Sequence, residues 1–167
     1  MYESGAPAIA AVGRFEEARR LTAEHWAVSQ RLSPHHRVHS ISVRLELADA
    51  VGDWESIVAE EEHVIELVEE NRATPCVRNA RDLFVLALAH SCLGDEARAE
   101  QLAGAAEPLM GEGHERSLNP PLLGRALVRG DAASVRALLE HAPYRTFVWG
   151  PSVFGTWMDA RLALHDR

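Results

Sequence analysis

The sequence predicts an all-α fold built from antiparallel helix hairpins, and three observations carry that expectation. Glycine-centred breaks recur along 167 residues: Val12-Gly13-Arg14, Val51-Gly52-Asp53, Leu93-Gly94-Asp95 and a looser Arg129-Gly130-Asp131. Their spacings of 39, 42 and 36 residues fall in the range of stacked helix pairs. Between the breaks, apolar residues recur at three- and four-residue steps, the period of a helix with one buried face. One stretch departs from that pattern. Leu83 to Ala89 is seven consecutive apolar residues, which leaves no polar face and requires cover from several neighbours.

The elements follow in order. Residues 1–12 support a short helix, with Ser4 as N-cap and Pro7 in its first turn. Residues 14–31 form a second, with Phe15, Ala18, Leu21, His25 and Val28 on one stripe, stopped by Ser33-Pro34. The third runs over about 36–51 and carries two stripes: Val38, Ile41, Leu45 and Ala48, then Val43, Leu47 and Ala50. Two stripes imply a helix contacted from two sides. Asp53 caps a fourth helix over 55–70, its apolar face Trp54, Ile57, Val58, Val64, Ile65 and Val68 and its other face Glu60, Glu62, Glu66, Glu69 and Glu70. The buried helix follows, and Asp95 caps a sixth with Ala99, Leu102, Ala103, Ala106 and Leu109 in register. Residues 110–119 lack periodicity and read as a loop, with Asn119 as N-cap and Pro120 at the first helical position of the next helix. A helix to about Arg129 and another over 131–142, with Val135, Leu138 and Leu139 apolar, complete a fourth pair. Residues 144–167 hold Tyr144, Phe147, Trp149, Phe154 and Trp157, half of the ten aromatics, and read as an aromatic segment with a capping helix.

Charge and cysteine content narrow the function classes. The net charge of −8 concentrates in residues 1–70, with 14 acids against 6 arginines; residues 71–167 balance 11 against 11. That distribution argues against a phosphate-binding surface, so no nucleic-acid partner is expected. No run of 18 apolar residues suggests a membrane span, and no basic segment followed by an apolar core suggests a signal peptide. Cys76 and Cys92 would lie about 24 Å apart along one helix, too far for a disulfide. Two free thiols fit a cytoplasmic location.

Two of the hinges share local chemistry: Gly13-Arg14-Phe15-Glu16-Glu17-Ala18 and Gly52-Asp53-Trp54-Glu55-Ser56-Ile57. Glycine permits the reversal, an aromatic follows two residues later, and a small or branched residue packs at the fifth. Gly94 keeps Ala99 but has Glu96 in place of the aromatic, and the fourth unit lacks both the aromatic and a small residue at the fifth position. The pattern over about 5–143 resembles a divergent tetratricopeptide repeat (TPR-like) of the kind found in bacterial signalling ATPases, cyclases and transcription regulators. The spacing exceeds that family's period of about 34 residues. The resemblance implies a right-handed superhelical α-solenoid of hairpins at about 5–34, 35–74, 76–110 and 119–143, closed by the aromatic cap at 144–167. It also implies a non-catalytic module, part of a larger bacterial regulatory protein, that binds a peptide or protein segment in a groove. Family geometry maps the groove onto His39, Ser42, Glu46 and Asp49 of one helix and Arg81, Phe84, Leu88 and Ser91 of another. The set lacks the Lys/Asn/Arg combination by which some relatives grip a C-terminal carboxylate.

Other chemistry reads weakly. His36 and His39 lie one turn apart beside His35, yet no cysteine or second histidine pair accompanies them at a metal-site spacing, so no metal or cofactor is expected. His90 beside Cys92 reads as a core or groove histidine, because a Cys–His pair needs an orienting third group to act as a nucleophile. His114 sits in a glycine loop with Glu112 and Glu115, and the Glu60–Glu70 run reads as a solvated face. No Gly-rich phosphate loop or nucleophile elbow occurs. The tail aromatics Tyr144, Phe147, Trp149 and Trp157 form either a cap or an interface, the latter allowing a homodimer. A small-molecule sensor or enzyme, with its pocket between the array and that tail, is the alternative.

Overall fold

Four glycines set the architecture. Gly13, Gly52, Gly94 and Gly130 adopt φ of 84°, 73°, 87° and 67°, a left-handed conformation that only glycine enters without a Cβ penalty. At each, the glycine N–H and the next residue's N–H turn back onto the preceding helix: Gly52 to Asp49 and Asp53 to Ala48, Gly94 to Ser91 and Asp95 to His90, with equivalent pairs at Gly13 and Gly130. The last carbonyls of each helix are thereby satisfied and the chain is aimed backwards. Asp53, Asp95 and Asp131 then accept from backbone N–H groups three residues on, starting the next helix. The hinges predicted from sequence are thus hinges in fact.

The computed structural model describes residues 2–141. Among these, every regular element is helical. They are α1 Tyr2–Ala11, α2 Phe15–Ser29, α3 Pro34–Val51, α4 Trp54–Ala59, α5 Glu61–Glu70, α6 Val77–Leu93, α7 Glu96–Ala106, α8 Glu115–Val128 and α9 Ala132–His141, with a 3₁₀ turn at Glu107–Leu109. Helices α1 and α2, α6 and α7, and α8 and α9 pack as pairs, while α3 pairs with both α4 and α5. The first helix of each unit also meets the first helix of the next, α1 with α3, α3 with α6 and α6 with α8.

Helix α6 is the centre. Every residue from Asn79 to Ser91 is buried, against α3, α4, α5, α7 and α8, as the apolar run 83–89 requires. The two stripes of α3 diverge as expected. Val38, Ile41 and Leu45 join the main core with Leu83, Leu86 and Ala99, whereas Val43 and Leu47 join a smaller patch with Ala6, Ala10 and Ala18. The alanines of α7 let it lie close to α6, with Ala99 and Ala106 fully buried.

The structure corrects several element boundaries. Ser4 is not an N-cap, because α1 begins at Tyr2. Pro7 sits inside α1 and removes only the partner of the Glu3 carbonyl. The helix expected over 55–70 breaks at Glu60, whose N–H tightens onto Ile57 and whose carboxylate is drawn to Arg44 on α3. Ile65 and Val28, placed on apolar faces, are exposed, and Leu67 is buried in their stead.

Helix α8 starts at Glu115 rather than at Pro120, so Pro120 and Pro121 lie within it. These prolines leave the Ser117 carbonyl with no helical donor at either the third or the fourth following residue. Arg81 Nε on α6 donates to that carbonyl at 3.2 Å. A partner 36 residues away completes this helix, which local sequence reading cannot see. The aromatic residues Tyr144, Phe147, Trp149 and Trp157 lie outside the described residues.

Candidate functional site

The chemistry-bearing side chains collect along the seam between α3 and α6. Of the eight residues assigned to a groove, Ser42, Glu46, Asp49, Arg81, Phe84, Leu88 and Ser91 are buried and His39 is half-buried. The structure brings most of them together, but as helix-to-helix contacts. Glu46, 2% exposed, pairs with Arg81 at 2.8 Å and with Arg78. Ser42 Oγ lies 2.5 Å from Asp82 Oδ2, to which it donates. Phe84 belongs to the main core.

Charges buried this deeply must neutralise one another, since an unpaired ion in a low-dielectric interior is very costly. Burial pulls the Arg81 guanidinium down from its ordinary value, and the charge of Glu46 opposes that. Burial likewise pushes Asp82 up to about 6 against the pull of Arg78, Ser42 and Arg81.

Further along α6, Ser91 Oγ donates to Glu96 at 2.6 Å and accepts from Arg125 Nε at 3.1 Å. Arg125 also reaches Glu100 at 2.8 Å, so α8 is tied to both α6 and α7. The Glu60–Glu70 face is only partly solvated. Arg98 clamps Glu61 through Nε at 2.9 Å and Nη2 at 2.7 Å, and His90 joins from α6. Burial raises the Glu61 carboxyl, but the hydrogen bonds from Arg98 and His90 bring it below its ordinary value. His90 is thus a buried neighbour of Glu61 and Asp95, and Cys92 plays no part in those contacts. His114 accepts from the Gly111 N–H at 3.1 Å in its loop.

At the N-terminal ends of α3 and α6 the seam finishes in a cluster that sequence reading missed. His35 and His39 stand one turn apart on α3, ring centroids 4.5 Å apart. Cys76, the N-cap of α6, places Sγ 3.3 Å from His39 Nε2. The sequence reading linked His36 with His39 and found no accompanying cysteine. The fold instead turns His36 out, its Nδ1 2.8 Å from the Ser33 hydroxyl, and brings in Cys76 from 37 positions away. The His35/His39 spacing was visible; the thiol was not.

Comparison with protein-family models, with curated proteins and with solved structures finds no match.

Two clefts open elsewhere. The larger, about 550 Å³, lies between α8 and α9 and is lined by Leu118, Leu122, Ala126, Ala137 and Leu138, with Arg125, Arg129 and Asp131 among its polar lining residues. The smaller, about 390 Å³, lies by α2 and α3 at Trp26 and Arg44. There Arg44 sits 5.3 Å over the Trp26 ring, and His63 meets the same ring edge-on at 5.1 Å. Among the described residues no helix is long and apolar enough to cross a membrane.

Proposed function

We propose that the chain is a non-catalytic, TPR-like helical-repeat module of the kind carried by bacterial regulators, and that it binds a peptide or protein segment. The observation that carries the reading is the fourfold reversal at Gly13, Gly52, Gly94 and Gly130, each with the same backbone hydrogen-bond pattern. Recurrent hairpins packed side by side through their first helices offer extended surface without a catalytic constellation. The buried α3–α6 seam is occupied by its own ion pairs, so the binding surface moves to the open α8–α9 cleft, whose lining is mostly apolar with charged groups among it. Such a lining suits apolar anchors on a short segment.

A peptide-display selection against the full chain tests this, with Ala137→Trp placed to fill the cleft. Enriched peptides that lose binding to Ala137→Trp, while its helical signal and melting temperature stay unchanged, support the reading. Failure to enrich any peptide, or enriched peptides indifferent to the substitution, contradicts it. The volume of this cleft also lies in the range of small-ligand pockets, about 300–1,000 Å³, which favours a small-molecule sensor as the second reading. A thermal shift of several degrees with one metabolite, and no peptide enrichment, would select it.

A further inference from the structure

We propose that His35, His39 and Cys76, brought together where α3 and α6 begin, bind a single zinc-class divalent ion. The three ligand atoms lie within 4.8 Å of one another. Tetrahedral zinc with Zn–S of about 2.3 Å and Zn–N of about 2.05 Å sets S and N about 3.6 Å apart. Cys76 Sγ and His39 Nε2 stand at 3.3 Å, a few tenths of an ångström inside that separation. The His35 and His39 rings share one face of α3 at a four-residue spacing, the arrangement by which a single helix offers two imidazoles to one metal.

The surroundings favour the deprotonated thiol that a metal needs. Cys76 caps α6, where the helix dipole favours negative charge. Arg78, the neighbouring cation, is paired with Glu46, which limits its repulsion of a bound ion. All three donors are half-buried, so an ion reaches them from solvent without unfolding the seam.

A thiolate with two imidazoles selects borderline-soft ions such as zinc or cobalt over magnesium or calcium, which prefer oxygen. The site lies apart from the α8–α9 cleft and does not depend on what that cleft binds. Its consequence is structural: an ion there staples the start of α3 to the start of α6, across the seam that joins the second hairpin to the third.

Cobalt(II) titration of the reduced full chain reads the site directly. The expected result is a thiolate-to-cobalt charge-transfer band and tetrahedral visible bands that saturate at one ion per chain and disappear when zinc is added. Cys76→Ser abolishes the charge-transfer band, His35→Gln and His39→Gln weaken it at the same cobalt concentration, and Cys92→Ser and His36→Gln leave it unchanged. Zinc at about a hundred times its Kd raises the melting temperature by about 5–10 °C in the wild type and in the two controls, Cys92→Ser and His36→Gln, and by less in the donor variants. Circular dichroism identifies any variant that fails to fold; each donor is replaced separately, so one folded donor variant is enough for the test. No band in the wild type, a band that survives Cys76→Ser, one that needs Cys92, or one ion shared by two chains would each overturn the proposal.

Discussion

The first hairpin and the α3–α6 seam hold their neighbours by different physics. Among the described residues, helices α1 and α2 meet α3 through Ala6, Ala10 and Ala18 against Val43 and Leu47, five buried residues of which three are alanine. Phe15, Leu21 and Ile9 pack at its margin. Around α6, nineteen buried apolar residues among those described form one cluster drawn from α3 to α8, and the Arg81–Glu46–Arg78 ion pairs and the Ser42–Asp82 hydrogen bond run beside it. Alanine faces let helices approach closely but remove little apolar area from water, and stabilisation scales with that area. The difference teaches that similar backbone reversals do not confer similar stability. The molecule is therefore expected to be held at α6 and looser at its first hairpin.

The largest expected effect sharpens this contrast at Arg81. Arg81→Ala leaves Glu46 with less compensation in the interior and the Ser117 carbonyl without its donor, and should cost about 3–5 kcal/mol in urea unfolding. Replacing Arg81 and Glu46 together by methionine should recover the part of that loss due to the unpaired Glu46 charge, but not the part due to the Ser117 carbonyl, which stays without its donor, and Arg78 loses its Glu46 partner. A loss below 1 kcal/mol (~) for Arg81→Ala would show that the seam is not held by this pair.

Cavity formation comes next. Leu86→Ala, at a fully buried position in the main cluster, should cost about 2–5 kcal/mol. Leu47→Ala, in the alanine-rich patch, should fall at or below the lower end of that range, because its site collapses more easily. Equal losses at the two positions would break the comparison.

The pH dependence of stability follows from Asp82. Its folded value of about 6 exceeds the ordinary 3.8, so the folded chain keeps a proton that the unfolded chain has already released. Stability attributable to this group is fully present below the unfolded value and falls as pH rises from about 4 to about 6, by up to about 3 kcal/mol. Asp82→Asn, which keeps the shape and removes the titration, should flatten that slope in urea melts across the window. Glu61 and Glu96 run the other way: both lie below 4.5 in the fold, and their contribution is lost as pH falls through the folded values.

The smallest effect is at a hinge. A Cβ at Gly52 would meet only the Trp54 ring at 3.9 Å, so Gly52→Ala is opposed by backbone conformation alone. The cost should be about 1–2 kcal/mol, read from thermal melts.

What could be read from sequence divides along the same line as the energetics. Local patterns announced the glycine hinges, the Asp53 and Asp95 caps, the double stripe of α3 and the all-round burial of 83–89, because each depends on residues within a few turns. The break at Glu60 depends on Arg44, the start of α8 on Arg81, and the His35/His39/Cys76 cluster on a thiol from another hairpin. No periodicity encodes those partners. The groove set shows the same limit: Ser42 and Glu46 share the spacing of one face of α3 and Arg81 lies on α6, and the fold turns these two faces onto each other, Ser42 against Asp82 and Glu46 against Arg81.

Native-state hydrogen exchange tests the central claim most directly, since it resolves which segments open locally and which only with the whole molecule. Amides of residues 83–91 should exchange only through global unfolding, while those of α1 and α2 exchange through an opening of lower free energy. Equal protection of α1 and α6, or faster exchange in α6 than in α1, would contradict it.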